Sequence, residues 1–137
     1  TVGMWFIIPD GIKKEIEDQN LEFDGGIHAV EHALIAMSPI FAMCDRWDIG
    51  GLSTPLHPDT GNATIFIYDG FEGGIGISEI LYSKIKTLWE KTLKLIDNCE
   101  CKDGCPSCIY SPKCGNENKP LDKKAASIIL KRLLTLV

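Results

Sequence analysis

The sequence predicts a mixed α/β (α+β) fold, in which a small sheet and several helices form a single domain of residues 1–137. Three observations lead to this prediction. Short runs of β-branched and aromatic residues, at 4–8 and 63–68, are typical of buried strands. Longer stretches carry apolar residues at helical spacing. The chain of 137 residues, 45% hydrophobic and 24% charged, is long enough to bury one core.

In the first half of the chain, the pattern predicts two strands and two helices. The strand at 4–8 ends in a Pro-Asp-Gly turn, and the mostly charged stretch at 12–21 predicts a short surface helix. An Asp-Gly-Gly run at 24–26 is expected to break the chain before a buried amphipathic helix at 27–39. Residues 41–44 then predict a short strand.

In the second half, a loop at 50–62 precedes the second buried run, and a glycine-rich turn at 69–76 follows it. One long helix is expected to begin with Ser78 as its N-cap and to run to Ile96. Asp122 is expected to cap a last helix. The apolar positions of that last helix are Ala125, Ile129, Leu133 and Leu136.

The charge is distributed unevenly along the chain. The net charge of −5 argues against a free-standing nucleic-acid-binding protein. Up to residue 83, three cations face thirteen acids, which gives −10, whereas the rest of the chain carries eleven cations and six acids, which gives +5. The basic part is able to approach phosphate or an acidic neighbour, although a solvated lysine-rich helix is the simpler explanation of charge alone.

The cysteine content indicates a metal site in an intracellular protein. No apolar run is long enough to span a bilayer, no secretory signal is visible, and the chain does not begin with Met, so we expect a cytoplasmic protein and a fragment of a longer chain. Six cysteines in such a chain indicate metal binding more than disulfides.

Five of the six cysteines lie in a loop at 99–116, between the last two predicted helices. The pair Cys105-x2-Cys108 has the spacing at which two thiolates bind one zinc ion. A structural zinc site takes four ligands, so two more come from Cys99, Cys101 and Cys114. The spacing leaves open which of the five cysteines is not a ligand.

Two other interpretations of the cysteines are less favoured. The spacings do not match those usual for iron–sulfur clusters, and free or disulfide-bonded thiols would not explain the clustering. The sixth cysteine, Cys44, lies on an apolar stretch and is expected to be a core residue. A closed site of four thiolates has no open coordination position, so the predicted zinc is structural.

His28, Glu31 and His32 match the H-x-x-E-H pattern of inverted metalloproteases. On a helix both histidines share one face, which would allow a metal-dependent hydrolase. The candidates for a third ligand are Asp69 and Glu72. We favour a different interpretation, a hydrogen-bonded polar cluster. Its acidic partners would be Asp45 and Asp48.

The glycine-rich turn at 70–76 is compatible with binding of one phosphate by backbone amides. It lacks both the G-x-G-x-x-G order and the Lys-Ser/Thr of a P-loop. Asp69 and Glu72 beside it would repel phosphate. A structural role for the glycines in close packing is therefore the favoured explanation.

Several segments together resemble one family. They are EHALIA at 31–36, CDRWDIGG at 44–51, IYDGFEGGIG at 67–76, and C-x-C-x2-GCPSC-x2-SP-x-CGN at 99–116. The chain resembles the MrfA-type zinc-binding domain, the C-terminal module of superfamily-2 DEAD/DEAH-box DNA helicases related to the Hrq group. The resemblance covers nearly the whole chain, and the cysteine segment is its most specific part.

The resemblance implies an accessory domain that follows two RecA-like motor lobes in an ATP-dependent, 3′-to-5′ DNA helicase linked to DNA repair. The family's four zinc cysteines correspond to positions within 99–114. The domain would brace the motor domains of the same chain and help guide single-stranded DNA, without contact with a membrane. The predicted phosphate contacts are Lys113, Lys119, Lys123 and Lys124.

The sequence contains no Walker-type ATP motif and no Asp-Glu-x-His box. We therefore expect that this chain alone neither hydrolyses ATP nor unwinds DNA, and we predict no catalytic residue. Two alternatives stay open: the metal-dependent hydrolase at the H-x-x-E-H motif, and a zinc module that only binds other proteins.

Overall fold

The computed structural model describes residues 3–70, 74, 76–101, 104–105, 109, 118 and 120–136. These residues form a three-stranded sheet and five α-helices, as the mixed α/β prediction requires. The strands are β1 (Gly3–Ile8), β2 (Ile49–Thr54) and β3 (Ala63–Asp69). The helices are α1 (Asp10–Asp18), α2 (Phe23–Ala42), α3 (Ile77–Ser83), α4 (Ile85–Asn98) and α5 (Lys123–Thr135).

The sheet has the order β1-β3-β2, and both pairs are antiparallel. Its inner face packs against the helices, with Ile8, Ile65 and Ile67 fully buried. On its outer face, Trp5, Phe66 and Leu52 lie opposite one another across the three strands. Trp5 and Leu52 are exposed there. None of the residues that the strands place on this outer face is charged.

Helix α2 is the centre of the fold. It contacts the other four helices, β2 and β3, and most of its residues are buried, as expected for a helix that is apolar on nearly all sides. Although α2 has 20 residues, no helix within the described ranges is long and apolar enough to cross a membrane.

Two predictions at the ends of α2 are wrong. The run at 24–26 does not break the chain, because Gly25 and Gly26 lie within α2 where α5 crosses it closely. A Cβ on Gly26 would lie 2.7 Å from the Cβ of Ala125. At the other end, 41–44 is not a strand: the helix continues past Pro39 and ends before Met43, which adopts a left-handed conformation at φ 48°.

The predicted loop at 50–62 is partly wrong, because its first residues belong to β2. The two glycines of this segment give little strand propensity. Pairing with β3 determines their conformation, and the small residues leave space for larger neighbours. A Cβ on Gly50 would lie 2.5 Å from the ring of Tyr68, and one on Gly51 would lie 2.8 Å from Cγ of Glu31.

The predicted long helix is two helices. Lys84 lies between them with φ −117° and ψ 23°, so α3 ends and α4 begins at this residue. Ser78 is not the N-cap. Gly76 occupies that position, and the Ser78 hydroxyl instead donates a hydrogen bond of 2.6 Å to Oδ1 of Asp69.

Helix α5 begins as predicted. Oδ1 of Asp122 accepts a hydrogen bond of 3.0 Å from the backbone N–H of Ala125, which is the expected N-cap contact. Oδ2 of Asp122 accepts a second bond of 2.9 Å from the N–H of Glu22. One carboxylate thus joins the starts of α2 and α5. The last predicted apolar position, Leu136, is exposed, because α5 ends at Thr135.

A candidate zinc centre between α4 and α5

Three cysteines converge at the C-terminal end of α4. Sγ of Cys99 lies 3.4 Å from Sγ of Cys101 and 3.4 Å from Sγ of Cys105, and all three sulfur atoms lie within 4.8 Å of one another. Zinc bound tetrahedrally at about 2.3 Å would separate its sulfur ligands by about 3.8 Å. The three half-buried thiols therefore have the chemistry and spacing of three corners of a zinc site.

The two other candidate ligands of the loop lie outside the described residues. Cys108 and Cys114, which the sequence also nominates as ligands, belong to that part of the chain. Cys44 is half-buried and packs against the hydrophobic core, as predicted for a core residue. Burial, together with the nearby acids Asp48 and Asp45, raises the pKa of the Cys44 thiol.

Lys123, the first residue of α5, contacts the cysteine loop. Its Nζ donates hydrogen bonds of 2.9 Å to the carbonyl oxygen of Cys99 and 2.6 Å to that of Cys101. It also lies 3.1 Å from Sγ of Cys101. From the sequence, Lys123 is predicted to contact phosphate. The residues next to Lys123 in the sequence do not reveal its contacts with residues more than twenty positions away.

Two histidines of α2 contact the backbone of the segment that follows these three cysteines. Nδ1 of His32 lies 2.7 Å from the carbonyl oxygen of Ile109, and Nδ1 of His28 lies 2.8 Å from that of Pro120. Because a carbonyl oxygen only accepts, both Nδ1 atoms carry the proton. Ile109 is fully buried. The i, i+4 spacing that resembled a protease motif thus places two donors on the helix face next to the loop.

The remaining members of the predicted polar cluster lie elsewhere. Glu31 faces Gly51 of β2. Burial raises the pKa of the Glu31 carboxyl to about 7, and the neighbouring Ser53 hydroxyl partly opposes this shift. Asp45 and Asp48 bond with each other's backbone across the 3-10 turn that precedes β2. The structure therefore does not bring these two acids to the histidines.

The H-x-x-E-H residues do not form a group of three potential metal ligands with other described residues. Their rings contact each other, since the ring centroids of His28 and His32 are 4.3 Å apart. Within the described part of the chain, however, the three cysteines are the one group of three or more potential ligands close enough to share an ion. The Asp69 carboxylate, a candidate third ligand, accepts hydrogen bonds from the backbone N–H groups of Gly76 and Ser78.

The same contacts explain the glycine-rich turn. Oδ2 of Asp69 accepts from the N–H of Gly76 at 3.1 Å, and Oδ1 accepts from the N–H of Ser78 at 2.8 Å. Asp69 is buried. A carboxylate already occupies the donors at the start of α3, which supports the structural role of this turn. Glu72 lies outside the described residues.

The predicted phosphate-binding lysines have different environments. Lys124 is exposed at the start of α5, whereas Lys113 and Lys119 lie outside the described residues. Sequence reasoning missed two further exposed lysines, Lys91 and Lys94 of α4, which line a groove of about 370 Å³ next to Cys99. Their spacing of three residues on an amphipathic helix was the available signal.

Comparison with known proteins identifies the family. The model of the MrfA Zn-binding domain matches residues 30–109, more than half of the chain. The chain belongs to the MrfA zinc-binding domain family. Zinc is therefore the metal for which the cysteine group is suited, in agreement with the prediction from spacing.

Relatives of this domain differ greatly in length. An uncharacterised protein of Methanocaldococcus jannaschii is 49% identical over 114 residues, which are 80% of this chain and 100% of that protein. The ATP-dependent helicase YprA of Bacillus subtilis is 37% identical over 69% of this chain. The ATP-dependent helicase HRQ1 of Saccharomyces cerevisiae is 25% identical over 96% of it. The match spans only 14% of YprA and 13% of HRQ1.

The fold is also that of a solved helicase domain. A crystal structure of the DUF1998 helicase MrfA bound to DNA contains a similar region, with a TM-score of 0.69 and 27% sequence identity. The similarity covers 96% of this chain and 17% of that protein chain. A second MrfA structure, bound to DNA and AMPPNP, gives a TM-score of 0.63.

Proposed function

We propose that this chain is a structural zinc-binding accessory domain of an ATP-dependent superfamily-2 DNA helicase linked to DNA repair. It would brace the motor domains of a longer chain of which 1–137 form the C-terminal domain, and help guide single-stranded DNA inside the cell. The convergence of Cys99, Cys101 and Cys105 carries this proposal, since these cysteines lie within the segment that the zinc-binding-domain model matches. ATP hydrolysis would belong to the motor domains.

The zinc ligands we propose are Cys99, Cys101, Cys105 and Cys108. The first three converge, and the two-residue gap between Cys105 and Cys108 suits a shared ion. Cys114 would then be the spare cysteine. Four thiolates close the coordination sphere, so the metal would hold the loop that connects α4 to α5 and would not activate water.

Metal analysis of cysteine variants tests this assignment. We expect one zinc per chain in the wild-type protein and in Cys44→Ser and Cys114→Ser. We expect Cys101→Ser and Cys108→Ser to lose the tightly bound zinc. Full zinc retention in Cys108→Ser together with loss in Cys114→Ser would exchange the roles of these two cysteines. Absence of zinc from the wild-type protein would overturn the proposal.

Exposed lysines of α4 and α5 support the nucleic-acid role. Lys91, Lys94 and Lys124 are exposed on α4 and α5, and Lys131, also exposed, lies 3.6 Å from Asp97. The similar MrfA structures are of a helicase bound to DNA. Surface lysines bind phosphate as point charges and carry no base specificity. We propose that these lysines, with Lys113 and Lys119, contact single-stranded DNA.

Salt-dependent binding of a labelled single strand tests the DNA contact. Each phosphate contact that is removed should reduce the slope of log K against log salt by about 0.7. We expect Lys91→Glu with Lys94→Glu to weaken binding at low salt, and the exposed Lys14→Glu of α1 to leave it unchanged. If the wild-type chain has no DNA affinity even at low salt, the DNA contact is wrong and protein interaction remains.

The outer face of the sheet supports contact with the motor domains. Trp5, Leu52 and Tyr68 are exposed on a face without charged residues, as expected for a surface that another protein covers. This observation also keeps a zinc module that only binds proteins as the second candidate. DNA binding separates the two candidates, because only the first requires it.

A further inference from the structure

Lys123 contacts two of the cysteines that are candidate zinc ligands. Its ammonium group has three protons, and three of its neighbours are the carbonyl oxygens of Cys99 and Cys101 and the Sγ of Cys101, at 2.9, 2.6 and 3.1 Å. All three belong to the segment that supplies two of the converging thiols. The side chain is half-buried, whereas the adjacent Lys124 is exposed.

The charge of the site gives these contacts an energetic role. A zinc ion of charge +2 bound by four thiolates carries a net charge of −2. A half-buried ammonium next to one sulfur offsets part of that charge, and its N–H group stabilises the thiolate form of the ligand. Second-shell partners of this kind fix the orientation of the ligands and raise the metal affinity.

Hydrogen bonds of the preceding residue, Asp122, hold Lys123 in position for these contacts. Asp122 caps the first turn of α5 and also accepts a hydrogen bond from the backbone N–H of Glu22, the residue before α2. The backbone at Lys123 is therefore held from two sides. The two carbonyl contacts fix the chain direction between Cys99 and Cys101. The Lys123 side chain thereby joins the start of α5 to the segment that follows α4.

We propose that Lys123 is a positioning residue of the zinc centre, which sets zinc affinity by holding the Cys99–Cys101 backbone and by balancing the charge of the Cys101 thiolate. This role rests on the proposed zinc ligands, and it differs from the phosphate contact that the sequence suggests. Lys123 would serve the metal site and Lys124 the solvent-facing surface, although the two residues are adjacent.

Zinc competition against a chelator of known affinity tests the proposal on the whole chain. We expect Lys123→Met to weaken zinc binding by about 10- to 100-fold, as removal of other second-shell partners does. The matched control Lys124→Met should stay within about twofold of wild type, because Lys124 is exposed. Lys123→Arg keeps the charge and should recover most of the affinity.

A spectroscopic measurement separates positioning from a general loss of stability. In the cobalt-substituted protein, loss of the N–H contact should make the Cys101 thiolate a better electron donor. Its sulfur-to-cobalt charge-transfer band should therefore move to longer wavelength in Lys123→Met and stay in place in Lys124→Met. If Lys123→Met does not fold, Lys123→Gln serves in both measurements, with the same direction expected.

Zinc affinity within twofold of wild type in Lys123→Met, or equal losses in the Lys123 and Lys124 variants, would overturn the proposal. An unmoved cobalt band in a folded Lys123 variant would do the same. Failure of the proposed function is distinguishable from either result. In that case the wild-type chain itself would bind no zinc, and the comparison between variants would not arise.

Discussion

His28 and His32, which the H-x-x-E-H pattern offered as metal ligands, contact the backbone carbonyl oxygens of Pro120 and Ile109 through Nδ1. Between them, Glu31 points in another direction, toward β2. A pattern of residue types fixes which side chains share a helix face, but what they meet depends on the packing of distant segments. At the scale of single residues, the polar side chains of α2 therefore connect this helix to β2 and to the segment between α4 and α5.

Glu31 should make stability depend on pH. Burial raises its pKa from 4.5 to about 7, so between these values the unfolded chain loses the proton before the folded chain does. Folding stability is therefore expected to fall as pH rises through this window, by about 3 kcal/mol from this group. Glu31→Gln should remove the loss and be more stable than wild type at pH 8.

Urea unfolding at pH 5 and pH 8 measures this effect. The exposed Glu17→Gln of α1 is the control and should keep the wild-type difference between the two pH values. If Glu31→Gln shows the same pH dependence as the control, another group is responsible.

Gly26 should not tolerate a side chain. An added Cβ would lie 2.7 Å from Cβ of Ala125 and 2.9 Å from Cδ1 of Ile129. Gly26→Ala should therefore cost about 1–3 kcal/mol in the free energy of unfolding, although alanine favours helices by about 1 kcal/mol. In α1, Gly11→Ala meets no atom within 4 Å and should be neutral or stabilising. Thermal unfolding of both variants gives the comparison, and equal effects would contradict it.

At the scale of elements, local patterns predicted the strands with strong propensity and missed the one without it. Residues 63–68 have the β-branched and aromatic composition of a buried strand, and β3 forms there. Strand β2 is interrupted by Gly50 and Gly51, which weaken its strand propensity, and it forms because it pairs with β3. The long helix expected from Ser78 onward is interrupted at Lys84, and the apolar periodicity gave no sign of this interruption.

Asp122 should contribute more to the free energy of unfolding than an ordinary helix cap does. Its two carboxylate oxygens accept bonds from Ala125 in α5 and from Glu22 at the start of α2. Asp122→Ala should cost about 2 kcal/mol, roughly 1 for the cap and roughly 1 for the second bond. Asp122→Asn keeps one acceptor oxygen and should lose only part of this. Denaturant unfolding measures both variants, and a loss in Asp122→Ala below about 0.5 kcal/mol would contradict the double role.

At the scale of the whole molecule, α2 separates two differently built regions. On one side, apolar contacts hold the sheet through residues such as Ile49 and Ile65. On the other, polar contacts from His28, His32 and Lys123, together with the buried side chain of Ile109, hold the loop between α4 and α5. The first region should be stable without metal, whereas the second depends on it.

Removal of zinc should therefore affect the two regions unequally. With a strong chelator, we expect the unfolding temperature to fall by about 10 °C or more, since losing a structural metal costs several kcal/mol. Hydrogen exchange should increase first at the end of α4 and the start of α5, and last in β3. Cys44→Ser should respond to the chelator as wild type does. Uniform exchange across the chain would argue against two regions.

Features that depend on neighbouring residues were predictable from the sequence. The cysteine spacing, the strand at 63–68 and the Asp122 cap are local, because ligand geometry, strand propensity and capping act over a few residues. Two other features follow from tertiary packing: Gly25 and Gly26 lie within a helix, and Lys123 faces the cysteine loop. These outcomes depend on contacts between segments far apart in the chain, whose packing free energy overrides local preference.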